Sequence, residues 1–344
     1  MTMNFGMFTD FHIRPGMTQA EAFDESFNQV EAAEKLGMDS VWLAEHHFSP
    51  DRAVLAAPIV IASAIAARTS RIRLGLAVQV LPLTNPLRVA EEAATVDHIS
   101  KGRFDFGIGR SGLTKYYQGY NVPYSESRPR FLEALDIIMK AWREEKFSYQ
   151  GKYHSFHDVA VVPRPYQQPH PPTRVAVAGE ETFPLIGKLG YPIFVSANTA
   201  IPQLQERLAS YRKGWQEAGH TGPVDVALRI PAYVAETAEK ARSEPEASTR
   251  QAIQYAATEL VTTAASQETA ERLQRVAATP YEDILKQRVM YGTPEAVVER
   301  LQEYREKLGI SGVVLEMNYG GRIPYDRVIN SMRLLTEKVA PHFK

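Results

Sequence analysis

The chain contains no cysteine among its 344 residues. That excludes disulfides, a thiolate nucleophile, and zinc or iron–sulfur centres held by thiolates. It also lacks a charge excess: 39 basic residues oppose 40 acidic ones, for a formal net charge of −1. A balance of this kind gives no electrostatic footprint for nucleic acid or an anionic membrane surface. No long apolar run is present, since the longest stretch, Ala53 to Ala67, is broken by Pro58 and Ser63 and is too short to span a bilayer. The start, Met1-Thr2-Met3-Asn4-Phe5, lacks the basic and apolar segments of a secretory signal. A cytoplasmic location is therefore expected. What remains is an ordinary globular composition, 44% hydrophobic and 23% charged, in a chain long enough to bury a large core.

Strand-like and helix-like segments alternate from end to end. Strands are expected at Met3–Phe11, Ser40–Phe48, Ile72–Leu81, Arg103–Ile108, Arg174–Ala178, Pro192–Ala197, Val224–Ala235 and Gly312–Met317. Between them the spacing predicts helices: one opened by the capping box Thr18–Glu21, then 58–69, 86–100, and one carrying Phe131, Leu135, Ile138 and Trp142 on one face. Further helical stretches fall near 181–190, 201–218, 294–308 and 324–340. Most of the strands are apolar on both faces, as buried parallel strands are. Eight such units predict an α/β protein with a single (β/α)8 TIM barrel domain over residues 1–344. Two stretches interrupt the rhythm. Residues 147–172 read as an inserted hairpin over one rim, and 237–290 as either extra surface helices or a mobile lid.

Chemistry concentrates at the predicted carboxyl ends of the strands, where barrel enzymes place it. Glu45-His46-His47 closes the second strand. Alternation along a strand puts His46 on the face of Trp42 and Ala44, and His47 on that of Leu43 and Glu45, so the pair is not placed to share one metal and no metal is expected. One histidine should reach the mouth while the other packs. Gly107-Ile108-Gly109-Arg110-Ser111-Gly112 has G-x-G-x-x-G spacing, but Tyr116, Tyr117, Gly119, Tyr120 and Pro123 follow it as loop chemistry rather than as a Rossmann helix. Small residues with Arg110 suit a phosphate, although a purely steric glycine turn fits the spacing too. Val177 to Thr182 crosses from strand to helix, an anion-binding geometry in which Glu180 and Glu181 also serve as ordinary first-turn acids. Asn318 and Tyr319, after the last strand, are placed to touch a ligand or simply to form a turn.

These segments together resemble the luciferase-like, flavin-dependent monooxygenase family over nearly the whole chain. The matching runs are Val41-Trp42-Leu43-Ala44-Glu45-His46-His47-Phe48, Leu81-Pro82-Leu83-Thr84-Asn85-Pro86-Leu87-Arg88, Ile99 through Arg110, and Gly292-Thr293-Pro294-Glu295. The resemblance implies a barrel that binds reduced FMN (FMNH2) from a separate NAD(P)H-dependent flavin reductase, adds O2 to it as a flavin peroxide, and oxidises a small organic substrate. It implies His46 as the catalytic histidine with His47 and Glu45 in support. Arg110 matches the phosphate-binding arginine, Gly109 adjoins the flavin, and Ala178, Gly179 and Glu180 fall where phosphate contacts lie. Ala77-Val78 occupy the place of a peptide, sometimes cis, that approaches the flavin ring. Tyr116, Tyr117 and Tyr120, with Asn318 and Tyr319, would shape the substrate pocket. A homodimer is the family expectation. Gly109 stands where the light-emitting subunit carries a reactive cysteine, and Ala178-Gly179 replace an acidic-serine pair, so oxidation of a metabolite is expected rather than light emission. Two other functions fit the same fold: a deazaflavin-dependent dehydrogenase, and a non-catalytic flavin-binding partner subunit.

Overall fold

In the computed structural model, residues 2–197, 199–255, 257–258, 267, 270–271, 274–275 and 278–344 are described. Strands β1 (Asn4–Thr9), β2 (Ser40–Leu43), β3 (Arg73–Leu76), β5 (Phe104–Gly109), β8 (Thr173–Ala176), β9 (Ile193–Ser196), β10 (Val226–Val234) and β12 (Gly312–Glu316) pair in parallel in that order. β12 pairs with β1, so the sheet closes into a barrel. Helices α1 (Gln19–Leu36), α2 (Pro58–Arg68), α3 (Pro86–Ser100), α5 (Ser127–Arg143), α6 (Thr182–Leu189), α7 (Ile201–Glu217), α11 (Pro294–Leu308) and α12 (Tyr325–Leu334) surround it. The fold is the expected (β/α)8 TIM barrel. No described helix is long and apolar enough to cross a membrane.

Local chemistry sets the element boundaries. Thr18 accepts from the Glu21 amide while the Glu21 carboxylate accepts from the Thr18 amide, the full capping box. Asn85 caps α3 through two amides, with Pro86 in the first turn. Inside the barrel, Phe8, Trp42, Ala44, Phe194, Ala227 and Val314 pack together. The Trp42 indole fits because glycine stands beside it in β3: a Cβ on Gly75 would lie 2.0 Å from the ring. Trp42 and Phe194 meet edge to face at 4.8 Å and fill the barrel centre.

Several expectations change. The apolar run 72–81 is not one strand: β3 ends at Leu76, the Ala77–Val78 peptide is cis, and a two-residue strand β4 (Gln79–Val80) resumes pairing with β5. β2 stops at Leu43, so Ala44 to Phe48 is irregular rather than extended, and Phe48 takes a positive φ. The tyrosine segment after Gly112 is not all loop, because α4 (Thr114–Gly119) holds Tyr116 and Tyr117 buried. The hairpin exists as β6 (Phe147–Gln150) and β7 (Ser155–Val159). It packs on α5, since its turn amides at Lys152, Tyr153 and His154 all donate to Glu133 of that helix.

Within 237–290 lie α8 (Ala238–Ser243), α9 (Glu246–Tyr255) and α10 (Tyr281–Gln287), followed by β11 (Met290–Gly292) against β10. α9 is anchored at the carboxyl end of the barrel: Ser248 donates to the Tyr319 carbonyl, Thr249 meets the Tyr291 hydroxyl, and Tyr255 donates to Ser49. The lid reading concerns in part residues outside the described ones.

Candidate active site

The carboxyl ends of β3, β5, β8 and β9 surround a cavity of about 330 Å³. Ala77, Val78, Gly109, Arg110, Ala178 and Gly179 all line it, so three separate chain segments converge there. Its walls are mainly apolar, with Phe131, Leu185, Val195 and Val314 among them, and one end is cationic, with Arg110 and Arg128. The Arg110 guanidinium donates to the Ser127 hydroxyl at 3.0 Å, and its carbonyl accepts from Tyr117. Gly109 packs against the cis peptide, where a Cβ would lie 2.5 Å from the Val78 side chain. Glu180 does not line the cavity. It is exposed and paired with Arg207 at 3.2 Å, while Glu181 pairs with Arg128.

Two carboxylate–histidine–tyrosine sets stand at the same end of the barrel. Glu45 accepts from His47 Nε2 at 2.9 Å and, through its other oxygen, from the Val80 amide at 2.9 Å. This ties the end of β2 to β4, beside the cis peptide. His47 Nδ1 accepts from Tyr120 at 3.2 Å, and Tyr120 is on the exposed rim. In the second set, His46 Nδ1 lies 3.0 Å from the Tyr116 hydroxyl and its Nε2 lies 3.2 Å from Asp10 Oδ1. Asp10, 0% exposed, also accepts from Arg52 at 3.0 Å. Arg52 in turn stacks over Tyr255 of α9 at 4.8 Å.

The electrostatics follow from that arrangement. Burial pushes the Asp10 carboxyl up, but His46 and Arg52 outweigh it and hold the group well below the usual carboxylate range. Burial, then the Arg52 charge, lowers the pKa of His46 to about 4 despite Asp10. Arg229, which lines the cavity, acts on His46 in the same direction. His46 is therefore neutral at pH 7. The Arg229 guanidinium lies 3.8 Å from the Phe8 ring centre and pairs with Glu316 at 2.7 Å.

Asp10, His12 and Glu316 bring ligand atoms within 4.8 Å of one another. Arg52 on Asp10 and Arg229 on Glu316 already balance both carboxylates, which leaves no excess negative charge to draw a dication.

None of the five residues expected to shape a substrate pocket lines this cavity, and Tyr120 stands on the rim beside His47. Tyr116 and Tyr117 are buried with their hydroxyls engaged. Asn318 accepts from the Ile323 amide and so closes the turn after β12. Tyr319 is enclosed beside α9, and burial pushes its hydroxyl up to about 12. Asp10, Arg52 and Arg229 were missed by the sequence reading. Two carried a signal: Asp10 is the charged residue at the carboxyl end of β1, and Arg229 is the lone charge in the apolar β10. Arg52 lies in an irregular segment with nothing to mark it.

A closed barrel with a cationic-ended cavity and a buried histidine at its carboxyl mouth has its candidate site where barrel enzymes carry theirs. The chain belongs to the luciferase-like monooxygenase family, whose profile matches residues 3–312. Limonene 1,2-monooxygenase of Rhodococcus erythropolis is 29% identical over 353 residues, covering 99% of this chain and 87% of that protein. The crystal structure of monooxygenase RslO1 from Streptomyces bottropensis superposes with a TM-score of 0.85 at 27% identity, over 99% of this chain and 100% of that one. An F420-dependent secondary alcohol dehydrogenase shares the fold, with a TM-score of 0.79 at 18% identity over the full length of both chains, 100% of each. The chain spans about half the length of some curated relatives it matches, at 52% and 51%.

Proposed function

We propose that this protein is the oxygenating component of a two-component flavin monooxygenase. It takes up reduced FMN from a separate NAD(P)H:flavin reductase, together with O2, and oxidises a small organic substrate. The observation that carries this reading is the convergence of Ala77, Val78, Gly109, Arg110, Ala178 and Gly179 on one cavity. An apolar chamber with a fixed guanidinium at one end suits a flat aromatic ring with a phosphate tail. Reduced FMN, when bound, would supply the electrons that activate O2.

The chain's own residues have definable tasks. Arg110, braced by Ser127, would hold the phosphate together with the turn at Ala178-Gly179. Phe131, Leu185 and Val195 would keep water from the ring. His46, neutral and held between Asp10 and Tyr116 outside the cavity lining, would accept or return a proton, and Glu45 and His47 would brace the wall beside Val78 and Val80. Two buried polar partners around one histidine, Asp10 and Tyr116, cost desolvation that packing alone does not require, which argues against a purely supporting subunit.

The deazaflavin alternative calls for cationic groups beyond Arg110 to receive an acidic tail. Arg128 and Arg207 stand at that end, but Glu181 and Glu180 neutralise them. FMN fits this charge balance better. The test uses an unrelated flavin reductase, FMN, isotopically labelled dioxygen and a panel of small aldehydes, ketones and alkenes. Label in an organic product supports the reading. Binding of the reduced deazaflavin but not of reduced FMN contradicts it.

A further inference from the structure

We infer that Asp10 is a positioning residue that fixes His46 in one neutral tautomer, with the proton on Nε2 and the lone pair on Nδ1 beneath the Tyr116 hydroxyl. Its catalytic meaning rests on the function proposed above, but the tautomer does not.

An ionised carboxylate only accepts. Arg52 occupies Asp10 Oδ2 through two nitrogens, at 3.0 and 3.4 Å. Oδ1 has no hydrogen-bond donor, and His46 Nε2 has no hydrogen-bond partner either; the two buried atoms face each other at 3.2 Å, off the in-line direction. A lone pair on Nε2 would set two acceptors against each other in a buried space, whereas a hydrogen there meets a negative oxygen. Charge attraction therefore places the proton on Nε2.

The other ring nitrogen follows from this. With Nε2 protonated in a neutral ring, Nδ1 accepts, and the Tyr116 hydroxyl 3.0 Å away donates to it. Burial raises the pKa of Tyr116, so its hydroxyl keeps its hydrogen at working pH. The charged groups that act on the ring from neighbouring elements are Asp10 just after β1, Arg52 in the segment after β2, and Arg229 on β10. His12, Tyr255 and Glu316 complete the surroundings of the Asp10–Arg52 pair.

With Nε2 already protonated, Nδ1 is the ring nitrogen left with a lone pair, so an added proton falls there, and Asp10 faces the resulting imidazolium at Nε2. Asp10 thus sets which nitrogen works and compensates the charge that appears.

Long-range nitrogen–proton correlation spectra of the full chain, labelled at the nitrogens of its nine histidines, read each tautomer directly. The spectrum of His46→Gln identifies the His46 signals by their loss. The flavin-free protein at neutral pH should show His46 in the Nε2–H form by at least about tenfold, as a charge-assisted contact of this kind implies. In Asp10→Asn, Arg52 retains the amide oxygen and turns the NH2 towards Nε2, so the proton should move to Nδ1. Tyr116→Phe, which keeps the carboxylate, should leave the Nε2–H form in place. An Nδ1–H form in the unsubstituted protein, an unchanged tautomer in Asp10→Asn, or a switch in Tyr116→Phe would each overturn the assignment. Should Asp10→Asn not fold, the unsubstituted and Tyr116→Phe spectra still decide it. Because no flavin is present, failure of the monooxygenase reading leaves this result unaffected.

Discussion

At the scale of single residues, the site depends on charges held inside the protein. The pKa of His46 falls from 6.5 to about 4 on folding, so between those values the unfolded chain binds the extra proton. Stability must then rise with pH across that window and be lost as pH falls through it, by on the order of 3 kcal/mol. Urea unfolding from pH 4 to 7 should show this slope, and His46→Gln should flatten it; an equal slope in both proteins would contradict the buried, neutral histidine. Asp10, also depressed, adds a loss in the same direction at lower pH. Arg110→Ala should weaken reduced-FMN binding by roughly 10- to 100-fold, since a hydrogen bond to a charged group contributes about 1.5–3 kcal/mol. Anaerobic equilibrium dialysis measures it. Part of this scale was legible in the sequence: Arg110 and His46 stand in recognisable runs. Asp10 and Arg52 escaped because their importance arises only when β1 and the segment after β2 meet, 42 residues apart in the chain.

At the scale of elements, the alternating pattern located all eight barrel strands because buried parallel strands are continuous apolar runs. It misplaced strand ends wherever the backbone leaves the ladder for the site. β3 gives way to the cis peptide beneath the cavity, and β2 stops before Glu45-His46-His47. Both departures are fixed by tertiary contacts, the Val80 amide on Glu45 and the His46 amide on Leu55, which no local pattern records. The hairpin's position was likewise hidden, since it is set by tertiary contacts to Glu133 and Asp136 of α5. At Gly107, β5 passes close to the end of β3: a Cβ would lie 1.6 Å from the Leu76 carbonyl oxygen. Backbone cannot yield as a side chain does. Gly107→Ala should therefore cost at least the upper end of the ~1–3 kcal/mol typical of overpacking. Thermal unfolding would show a clear drop in Tm, and an unchanged Tm would mean that the two strands separate more readily than this packing implies.

At the scale of the whole molecule, the barrel keeps its apolar centre around Trp42 and Phe194 and reserves the carboxyl end for chemistry. A homodimer through the early barrel helices is the expected assembly, and Val60 on α2 is exposed at 65% as a residue such an interface would cover. Light scattering should give twice 38.5 kDa, and Val60→Glu should shift the mass towards one chain. A monomer mass for the unsubstituted protein would refute the dimer. The central claim, that the cavity takes up reduced FMN and governs its reaction with oxygen, is tested most directly by rapid mixing. The protein is loaded anaerobically with reduced FMN, mixed with oxygenated buffer, and followed by flavin absorbance. Reoxidation with kinetics distinct from those of free reduced FMN, and reverting towards free behaviour in Arg110→Ala, is the predicted result. Reoxidation identical to that of free reduced FMN at saturating protein would contradict it.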